Sequence, residues 1–365
     1  MKRRSWVLLA VAAAVMVVVG AGAGPASAAT QPRFTVFAAA SLYKAFPSMV
    51  APFKAKYPQY KHVRFVFNFA GTNDLATQIE NGAYADVFAG ASTKYSDNLL
   101  SPTVYINTPR LFCQNALCVI VPNVKGHKVS TLADLKKSGV EIAVGTWGTN
   151  GVPIGIYTQT VLTNLNADPA VSDATFATDV DNNILASGAV VANVNMITAL
   201  VVLNEVDAGF VYNSDKVAAA HRAIRIAIPA AYQSNPLPTY PIATVKGSTR
   251  VTMGNRFVAF VLSARGQRIL KAWGFRYRPV PILASLSADS GAAGTSVTIT
   301  GTNFGSNKTG YVPGMVKFGS TVATTTAWTT TSITATVPSI AAGSYKLTVT
   351  ADGKVSLAKT FTVTP

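Results

Sequence analysis

Three turns that follow short apolar strands carry small or hydroxyl-bearing residues in place of charged ones. They are Ala38-Ala39-Ala40-Ser41, Gly71-Thr72-Asn73 and Gly90-Ala91-Ser92. In α/β proteins, ligands collect at the carboxyl ends of strands, where helix N-termini present unpaired N–H groups. Converging hydroxyl and N–H donors suit a tetrahedral oxyanion, because helix dipoles favour negative charge. The pattern predicts an anion site, while ordinary helix caps at Ser41 and Thr72 remain the alternative.

Strands and helices alternate in the part of the chain that must position these turns, from Phe34 to about Trp273. This alternation predicts an α/β fold with parallel sheets. Ser41 is predicted to cap a helix that reaches Tyr57, and Pro47 and Pro52 should kink or break that helix. Asn193 is predicted to cap a second, strongly apolar helix.

The composition changes sharply near Pro279-Val280-Pro281. No Arg, His or Cys follows Pro279, and Ser and Thr become abundant. Short alternating runs such as Val297-Thr298-Ile299-Thr300, separated by Gly-, Asn- or Pro-containing turns, are typical of a small antiparallel β-sandwich. We therefore expect two folding units, residues 31–278 and residues 279–365.

The N-terminus has the pattern of a secretory signal peptide. Lys2, Arg3 and Arg4 precede an apolar run from Trp6 to Val19, and Ala26-Ser27-Ala28 supplies small residues before a cleavage point. This predicts a signal peptide at residues 1–28, since the run is short for a membrane span of ~20 residues. No Cys follows the run, so we expect an exported protein without a lipoprotein anchor, either extracellular or in the cell envelope or periplasm.

The charge balance is strongly basic. The 365 residues include 31 Lys and Arg against 15 Asp and Glu, a formal net charge of +16. Such an excess raises nucleic acid or an anionic cell wall as partners. Tyr57, Tyr60, Lys61 and Arg64 combine aromatic and basic residues, but a surface turn is the favoured interpretation. We expect no nucleic-acid partner.

No arrangement of residues indicates catalysis or a resident cofactor. The sequence has no Gly-x-Ser-x-Gly elbow and no phosphate-binding Gly-rich loop. His62, His127 and His221 are scattered without metal-ligand spacing. The sequence therefore predicts a protein that is not an enzyme and that holds no cofactor or bare metal ion.

The two cysteines, Cys113 and Cys118, leave two alternatives open. A strand of five residues would place them ~16 Å apart, beyond the ~7 Å that a disulfide allows. A turn at Gln114-Asn115 would close that gap. A disulfide and a pair of reduced core residues are equally supported.

Eight segments along the chain carry recognisable motifs: Phe34-Thr-Val-Phe-Ala-Ala-Ala-Ser-Leu42, Phe69-Ala-Gly-Thr-Asn-Asp-Leu-Ala76, Gln78-Ile-Glu-Asn-Gly-Ala83, Ala85-Asp-Val-Phe-Ala89, Val152-Pro-Ile-Gly-Ile-Tyr157, Asp207-Ala-Gly-Phe-Val-Tyr212, Tyr240-Pro-Ile-Ala243 and Gly266-Gln-Arg-Ile-Leu-Lys-Ala-Trp-Gly-Phe275. In this same order, they closely resemble the molybdate-binding proteins of ABC transporters. The resemblance implies a type II periplasmic-binding-protein fold, with two α/β lobes joined by a hinge. Lobe one would run from Phe34 to about Arg110 and resume after about Ser214.

The resemblance also implies the ligand contacts. They are the hydroxyl and the N–H of Ser41, Thr72, the N–H groups of Ala91, Ile154 and Val194, and the phenol of Tyr212. Four features depart from the usual pattern. Thr72 replaces a serine and Ile154 replaces an alanine. The stretch from Gly145 to Gly151 is about two residues longer than usual, and the segment around Val194 lacks the usual charged residues.

The implied function is that of the substrate-binding component of an ABC importer, which captures molybdate, and also tungstate, by hinge closure. Its partners would be a membrane permease and its ATPase, and we expect a monomer. The tail, through Pro281-Ile-Leu-Ala-Ser285 and Val297-Thr-Ile-Thr-Gly-Thr-Asn-Phe-Gly305, resembles an immunoglobulin-like IPT/TIG domain. The alternatives are a cell-surface interaction protein that recognises another ligand, and a binding protein for another oxyanion such as sulfate.

Overall fold

The structure is a computed structural model that describes residues 31–277, 280–305, 313–351 and 354–365. The predicted signal peptide lies outside the described residues, and so does the predicted domain boundary at Arg278 and Pro279. Across the part of the chain that is described, no helix is long and apolar enough to span a membrane.

The first stretch of chain builds most of lobe one. Its strands are β1 (Arg33–Ala39), β2 (Arg64–Ala70), β3 (Val87–Ala89) and β4 (Arg110–Gln114), and its helices are α1 (Pro47–Lys56), α2 (Thr72–Glu80) and α3 (Thr93–Asn98). Pro47 is the first residue of α1 and Pro52 lies inside it. The predicted break is confirmed at Pro47, because proline has no N–H to donate and is tolerated in the first helical turn. The helix continues through Pro52, so no break occurs there.

The middle of the chain forms lobe two. Its strands are β5 (Leu117–Pro122), β6 (Ile142–Gly145), β7 (Val190–Val191), β8 (Ala208–Tyr212) and β9 (Ala223–Ala227), and its helices are α4 (Pro153–Asn166), α5 (Phe176–Ser187), α6 (Val194–Val202) and α7 (Asn213–Ala219). The chain then returns to lobe one through β10 (Thr239–Thr244), α8 (Val251–Leu262) and α9 (Ala264–Ala272).

The two lobes repeat one sheet design. The strand order is β2-β1-β3-β10-β4 in lobe one and β7-β6-β8-β5-β9 in lobe two. In each sheet the first two pairings are parallel and the last two are antiparallel. The sheets are therefore mixed, and the predicted parallel pairing holds for two of the four pairings in each sheet. The chain passes between the lobes after β4 and again after β9. The antiparallel pairings involve the strands on either side of these two crossings, β4 and β5, and β9 and β10.

Two short segments connect the lobes, residues 115–116 and residues 228–238. The expected return to lobe one after about Ser214 is wrong, because α7 and β9 still belong to lobe two and β9 pairs with β5. Two crossings of this kind are the connections expected of a hinge.

Different residue types fill the two cores. The lobe-one core is rich in aromatic rings, and Phe34, Phe46 and Phe53 all pack edge-on against Phe257. The lobe-two core is mainly aliphatic and includes Val119, Ile142 and Ile197. Each lobe thus buries its own apolar cluster.

The tail is an all-β sandwich with a third core. Its strands are β11 (Ile282–Leu286), β12 (Ser290–Ala292), β13 (Ser296–Thr302), β14 (Met315–Phe318), β15 (Thr321–Ala323), β16 (Thr325–Trp328), β17 (Ser332–Thr336), β18 (Gly343–Ala351), β19 (Lys354–Val355) and β20 (Lys359–Thr364). They form sheets of order β11-β13-β17-β16 and β12-β20-β18-β14-β15, and β19 pairs with β18. The predicted β-sandwich is confirmed.

Candidate functional site

A small pocket of about 20 Å³ lies between the two lobes. Six turns line it, three from each lobe, and each follows the carboxyl end of a strand. All six residues predicted from the sequence are among those that line it: Ser41, Thr72, Ala91, Ile154, Val194 and Tyr212. The lining includes no charged residue, so any anion here would meet only neutral groups.

Lobe one contributes two hydroxyl groups. Ser41 lies in a single 3₁₀ turn after β1 and makes no capping hydrogen bond, so its predicted role as a helix cap is wrong. Its Oγ lies 3.0 Å from the Tyr240 hydroxyl. Thr72 is the first residue of α2, and its Oγ1 accepts the N–H of Ala91 at 3.1 Å. Ala91 therefore lines the pocket with its N–H already paired, while the Thr72 hydroxyl proton can still be donated.

Lobe two contributes backbone N–H groups at two helix starts. Ile154 is the second residue of α4, after Pro153, and Val194 is the first residue of α6. The predicted cap at Asn193 is confirmed, since its side chain accepts the N–H groups of Asn195 and Met196. N–H groups in a first helical turn have no intrahelical acceptor. The Asn193 side chain occupies the N–H groups of Asn195 and Met196, so the Val194 N–H remains for a ligand.

Tyr212 supplies the third kind of donor. The residue is 2% exposed, and its hydroxyl finds no hydrogen-bond partner among the described residues. Burial, more than the neighbouring Tyr240, Tyr157 and Asp215, raises the pKa of this phenol well above its usual range, so it stays protonated. Leaving a buried hydroxyl unpaired costs about 1–3 kcal/mol. A phenol in this state is a donor that lacks an acceptor.

A second layer of buried polar residues supports these donors, and sequence reasoning did not identify it as functional. The Tyr240 hydroxyl lies beside Ser41, and Asn115 donates to Ser214 at 2.9 Å. Asp215 accepts the Tyr212 N–H at 3.1 Å, and burial raises the pKa of its carboxyl to about 7. The motif that contains Tyr240 was visible in the sequence, but only the fold shows that it lies against Ser41.

Direct contacts also join the two lobes. On α3, Lys94 Nζ donates to the Thr149 carbonyl at 2.5 Å and the Tyr95 hydroxyl donates to the Gly151 carbonyl. A Cβ on Gly71 would lie 2.8 Å from the Ala192 carbonyl oxygen, so only glycine permits this approach of the lobes. The structure therefore shows a closed cleft.

The other candidate groups lie outside the pocket. No cluster of three or more His, Cys, Asp or Glu residues that could hold a metal ion occurs within the described ranges. Cys113 and Cys118 are both free and buried, which decides between the two alternatives for this structure. Burial raises the pKa of Cys113 well above its usual range and that of Cys118 to about 12, so both thiols are unreactive.

Two lobes of equal design, a hinge of two crossings and a closed pocket of neutral donors define a solute-binding protein. The model of the family described as bacterial extracellular solute-binding protein matches residues 34–276, and the chain belongs to that family. The model of the IPT/TIG domain matches residues 281–363.

Similar proteins of known identity include two molybdate-binding proteins. The chain is 33% identical over 242 residues to the molybdate-binding protein ModA of Mycobacterium tuberculosis (strain ATCC 25618 / H37Rv), covering 66% of this chain and 83% of that protein. It is 30% identical over 254 residues to ModA of Escherichia coli (strain K12), covering 68% of this chain and 90% of that protein.

Solved structures show the same fold in the two-lobed part. The periplasmic molybdate-binding protein of Azotobacter vinelandii superposes with a TM-score of 0.55 at 18% identity and covers 66% of this chain and 98% of its own. The sulfate-binding protein SubI of Mycobacterium tuberculosis gives a TM-score of 0.53 at 17% identity and covers 68% of this chain and 87% of its own.

Proposed function

We propose that this protein captures molybdate outside the cytoplasm and delivers it to an ABC importer. The observation that carries the proposal is the Tyr212 hydroxyl, a buried donor without an acceptor that lines the pocket between two closed lobes. The identity to molybdate-binding proteins over both lobes supports molybdate as the anion.

Five donors would hold the anion. They are the hydroxyls of Ser41 and Thr72, the N–H groups of Ile154 and Val194, and the phenol of Tyr212. Ala91 would contribute indirectly. Its N–H donates to the Thr72 oxygen, orients it and leaves the Thr72 hydroxyl proton for the ligand. Each hydrogen bond to a charged group contributes about 1.5–3 kcal/mol, so five suffice to hold a dianion without Lys or Arg.

Selectivity would depend on size. Neutral donors cannot distinguish dianions by charge, and a closed pocket of this kind favours the anion whose oxygens reach all donors at once. Molybdate and tungstate have nearly the same size and should both bind, whereas the smaller sulfate would leave some donors unpaired. The bulk of Ile154, where relatives of this type have alanine, would narrow the pocket further.

Capture would follow hinge closure about residues 115–116 and 228–238. The open form would admit the anion, and the closed form, with Tyr95 and Lys94 bonded to lobe two, would present it to a membrane permease with its ATPase. The protein would act as a monomer in this cycle and would reach its place of action through the signal peptide.

Titration calorimetry of the mature protein with molybdate, tungstate, sulfate and phosphate tests the proposal. We expect saturable binding of molybdate and tungstate at one site, and binding of sulfate and phosphate weaker by at least about tenfold. If no oxyanion releases heat or raises the melting temperature, the transport function is wrong and a surface-interaction role gains support. If sulfate binds best, the fold is right and the anion is wrong.

A further inference from the structure

Charge is divided very unevenly between the two lobes. Residues 31–114 and 233–277, which build lobe one, contain fifteen Lys and Arg against four Asp and Glu, whereas residues 115–232 of lobe two contain seven against nine. Lobe one therefore carries a net charge of +11 and lobe two of −2. The chain contains no acidic residue before Asp74 and none between Asp215 and Asp289.

Three ion pairs lie in lobe two. They join Lys128 with Asp207, Lys136 with Asp173 and Lys137 with Asp134. Lobe one has no carboxylate side chain before Asp74, in the segment that contains α1 and β2. It also has none after β10, in the segment that contains α8 and α9. Like charges that accumulate without counter-charges repel one another, so such a surface is costly unless an anion is available to it.

Six of these cations, which we call the basic face, belong to the part of lobe one where β1 and β2 begin and α1 ends, or contact it: Arg33, Lys54, Lys56, Lys61, Arg64 and Arg256. Contacts bring several of these residues close together. Arg33 and Arg64 pair in register at the start of β1 and β2. Lys54 lies over the Phe65 ring at 5.9 Å and Lys56 over the Tyr57 ring at 5.4 Å.

Arg256 joins α8 to this surface. Its guanidinium lies 5.6 Å from the ring centres of both Tyr57 and Tyr60 and donates to the Tyr60 hydroxyl at 3.1 Å. The rings therefore serve as supports that hold cations in place, and Arg33, Lys56, Lys61 and Arg64 remain exposed to solvent.

The basic face is separate from the pocket. Arg33 begins β1, and Ala39, which ends it, lines the pocket. Six residues of strand span about 20 Å. That distance exceeds the ~8 Å screening length at physiological salt, so the basic face does not act on an anion held in the pocket.

The chemistry of the face selects among polyanions. Bases of single-stranded nucleic acid bind by stacking on free aromatic rings, but here the rings already carry cations, and Tyr60 also stacks on Phe53. The aromatic residues are half-buried, so none is placed to insert into a lipid surface. What remains is a group of exposed cationic side chains, and such groups pair with phosphates.

We infer that the basic face of lobe one is a docking surface for a polyanion without bases, a polymer of phosphodiester-linked polyols such as those found in cell envelopes. Several side chains would each pair with one phosphate and release its counterions, giving a binding strength that falls steeply with salt. This surface would retain the protein at an anionic polymer while its pocket remains free for solute.

Binding of fluorescently labelled poly(glycerol phosphate) to the full mature chain tests the inference. The test variant is K56E/K61E, and the matched control is K125E/K346E, which makes the same charge change on exposed lysines of lobe two and of the tail. At low salt we expect the test variant to lose affinity on the order of tenfold or more, and the control to lose at most about twofold. Molybdate binding should be unchanged in both variants. A K56Q/K61Q variant should show a smaller loss in the same direction, and it replaces the reversal if that variant folds poorly.

Three results would overturn the inference. Equal loss in the test and control variants would show that net charge alone attracts the polymer. Tighter binding of single-stranded DNA of equal charge would mean that bases are recognised. Tighter binding of phosphatidylglycerol vesicles would mean that the surface serves a membrane.

Discussion

The two lobes share one sheet order but supply the pocket differently. Lobe one places hydroxyl groups on short side chains at Ser41 and Thr72, each touching another lobe-one group. Lobe two places backbone N–H groups at the starts of α4 and α6, together with the unpaired phenol of Tyr212. A repeated fold thus carries two chemically distinct halves of one site.

The comparison also shows that the net charge of a lobe and the donors of the pocket are separate features. The pocket lies between a lobe of net charge +11 and a lobe of −2, yet its lining contains no ionised side chain. The donors are fixed by the backbone and by buried contacts, so they need little reorganisation when an anion arrives. Six of the fifteen basic residues of lobe one belong instead to the basic face, away from the pocket.

The largest expected effect comes from removing the donor that has no other partner. Tyr212→Phe should weaken molybdate binding roughly ten- to a hundredfold, since one hydrogen bond to a charged group is lost. The same change should leave the free energy of unfolding of the unliganded protein unchanged or higher, because a buried unpaired hydroxyl disappears. Calorimetry and denaturant unfolding measure the two effects.

Ser41→Ala makes the matching change in lobe one and should weaken binding less, because the Ser41 oxygen already interacts with Tyr240. Tyr345→Phe, in the tail, is the control and should leave molybdate affinity unchanged. If the Tyr212→Phe variant binds molybdate as tightly as the wild type, the Tyr212 hydroxyl does not contact the anion.

The next effect concerns pH and is also confined to lobe two. The folded-state pKa of Asp215 is raised from 3.8 to about 7 by burial, so the carboxyl ionises as the pH rises through neutrality. Its negative charge beneath Tyr212 would then oppose a bound dianion. We expect molybdate affinity to fall several-fold between pH 6 and pH 8, and Asp215→Asn to remove most of that fall.

The same group makes stability depend on pH. Because its pKa is raised on folding, the native state binds the proton more tightly, and stability falls as the pH rises from about 4 to about 7. Asp215→Asn should flatten this part of the curve of unfolding free energy against pH. If the variant keeps the wild-type slope, Asp215 is not the group that titrates.

The smallest expected effect concerns the contact that closes one lobe on the other. Tyr95→Phe removes the hydrogen bond to Gly151, so it should speed molybdate release several-fold with little change in stability. Tyr84→Phe is the matched control, because its hydroxyl bonds only within lobe one, to Asp86 and Thr249. Stopped-flow release rates that are equal in both variants would contradict the assignment of Tyr95 to closure.

Local patterns predicted the local features well. The hydroxyl-bearing turns at Ser41 and Thr72, the cap at Asn193 and the break at Pro47 all follow from the chemistry of single residues and their neighbours. Strand–helix alternation gave the α/β class, and Thr-rich alternation gave the β-sandwich of the tail.

Features that depend on distant parts of the chain could not be predicted in the same way. The antiparallel strands and the late return to lobe one depend on which strands pair after each crossing. The hydrogen bond from Ala91 to Thr72 and the contact of Tyr240 with Ser41 join residues 19 and 199 positions apart. No periodicity in the sequence encodes such contacts. The repeat of sheet order in the two lobes likewise has no counterpart in a repeated sequence.

A crystal structure of the mature protein with molybdate, located by the anomalous signal of molybdenum, tests the central claim most directly. We predict one anion between the lobes, within hydrogen-bonding distance of Ser41, Thr72, Ile154, Val194 and Tyr212, and of no Lys or Arg side chain. A molybdate bound by Lys or Arg elsewhere on lobe one, with the Tyr212 hydroxyl still unpaired, would contradict it.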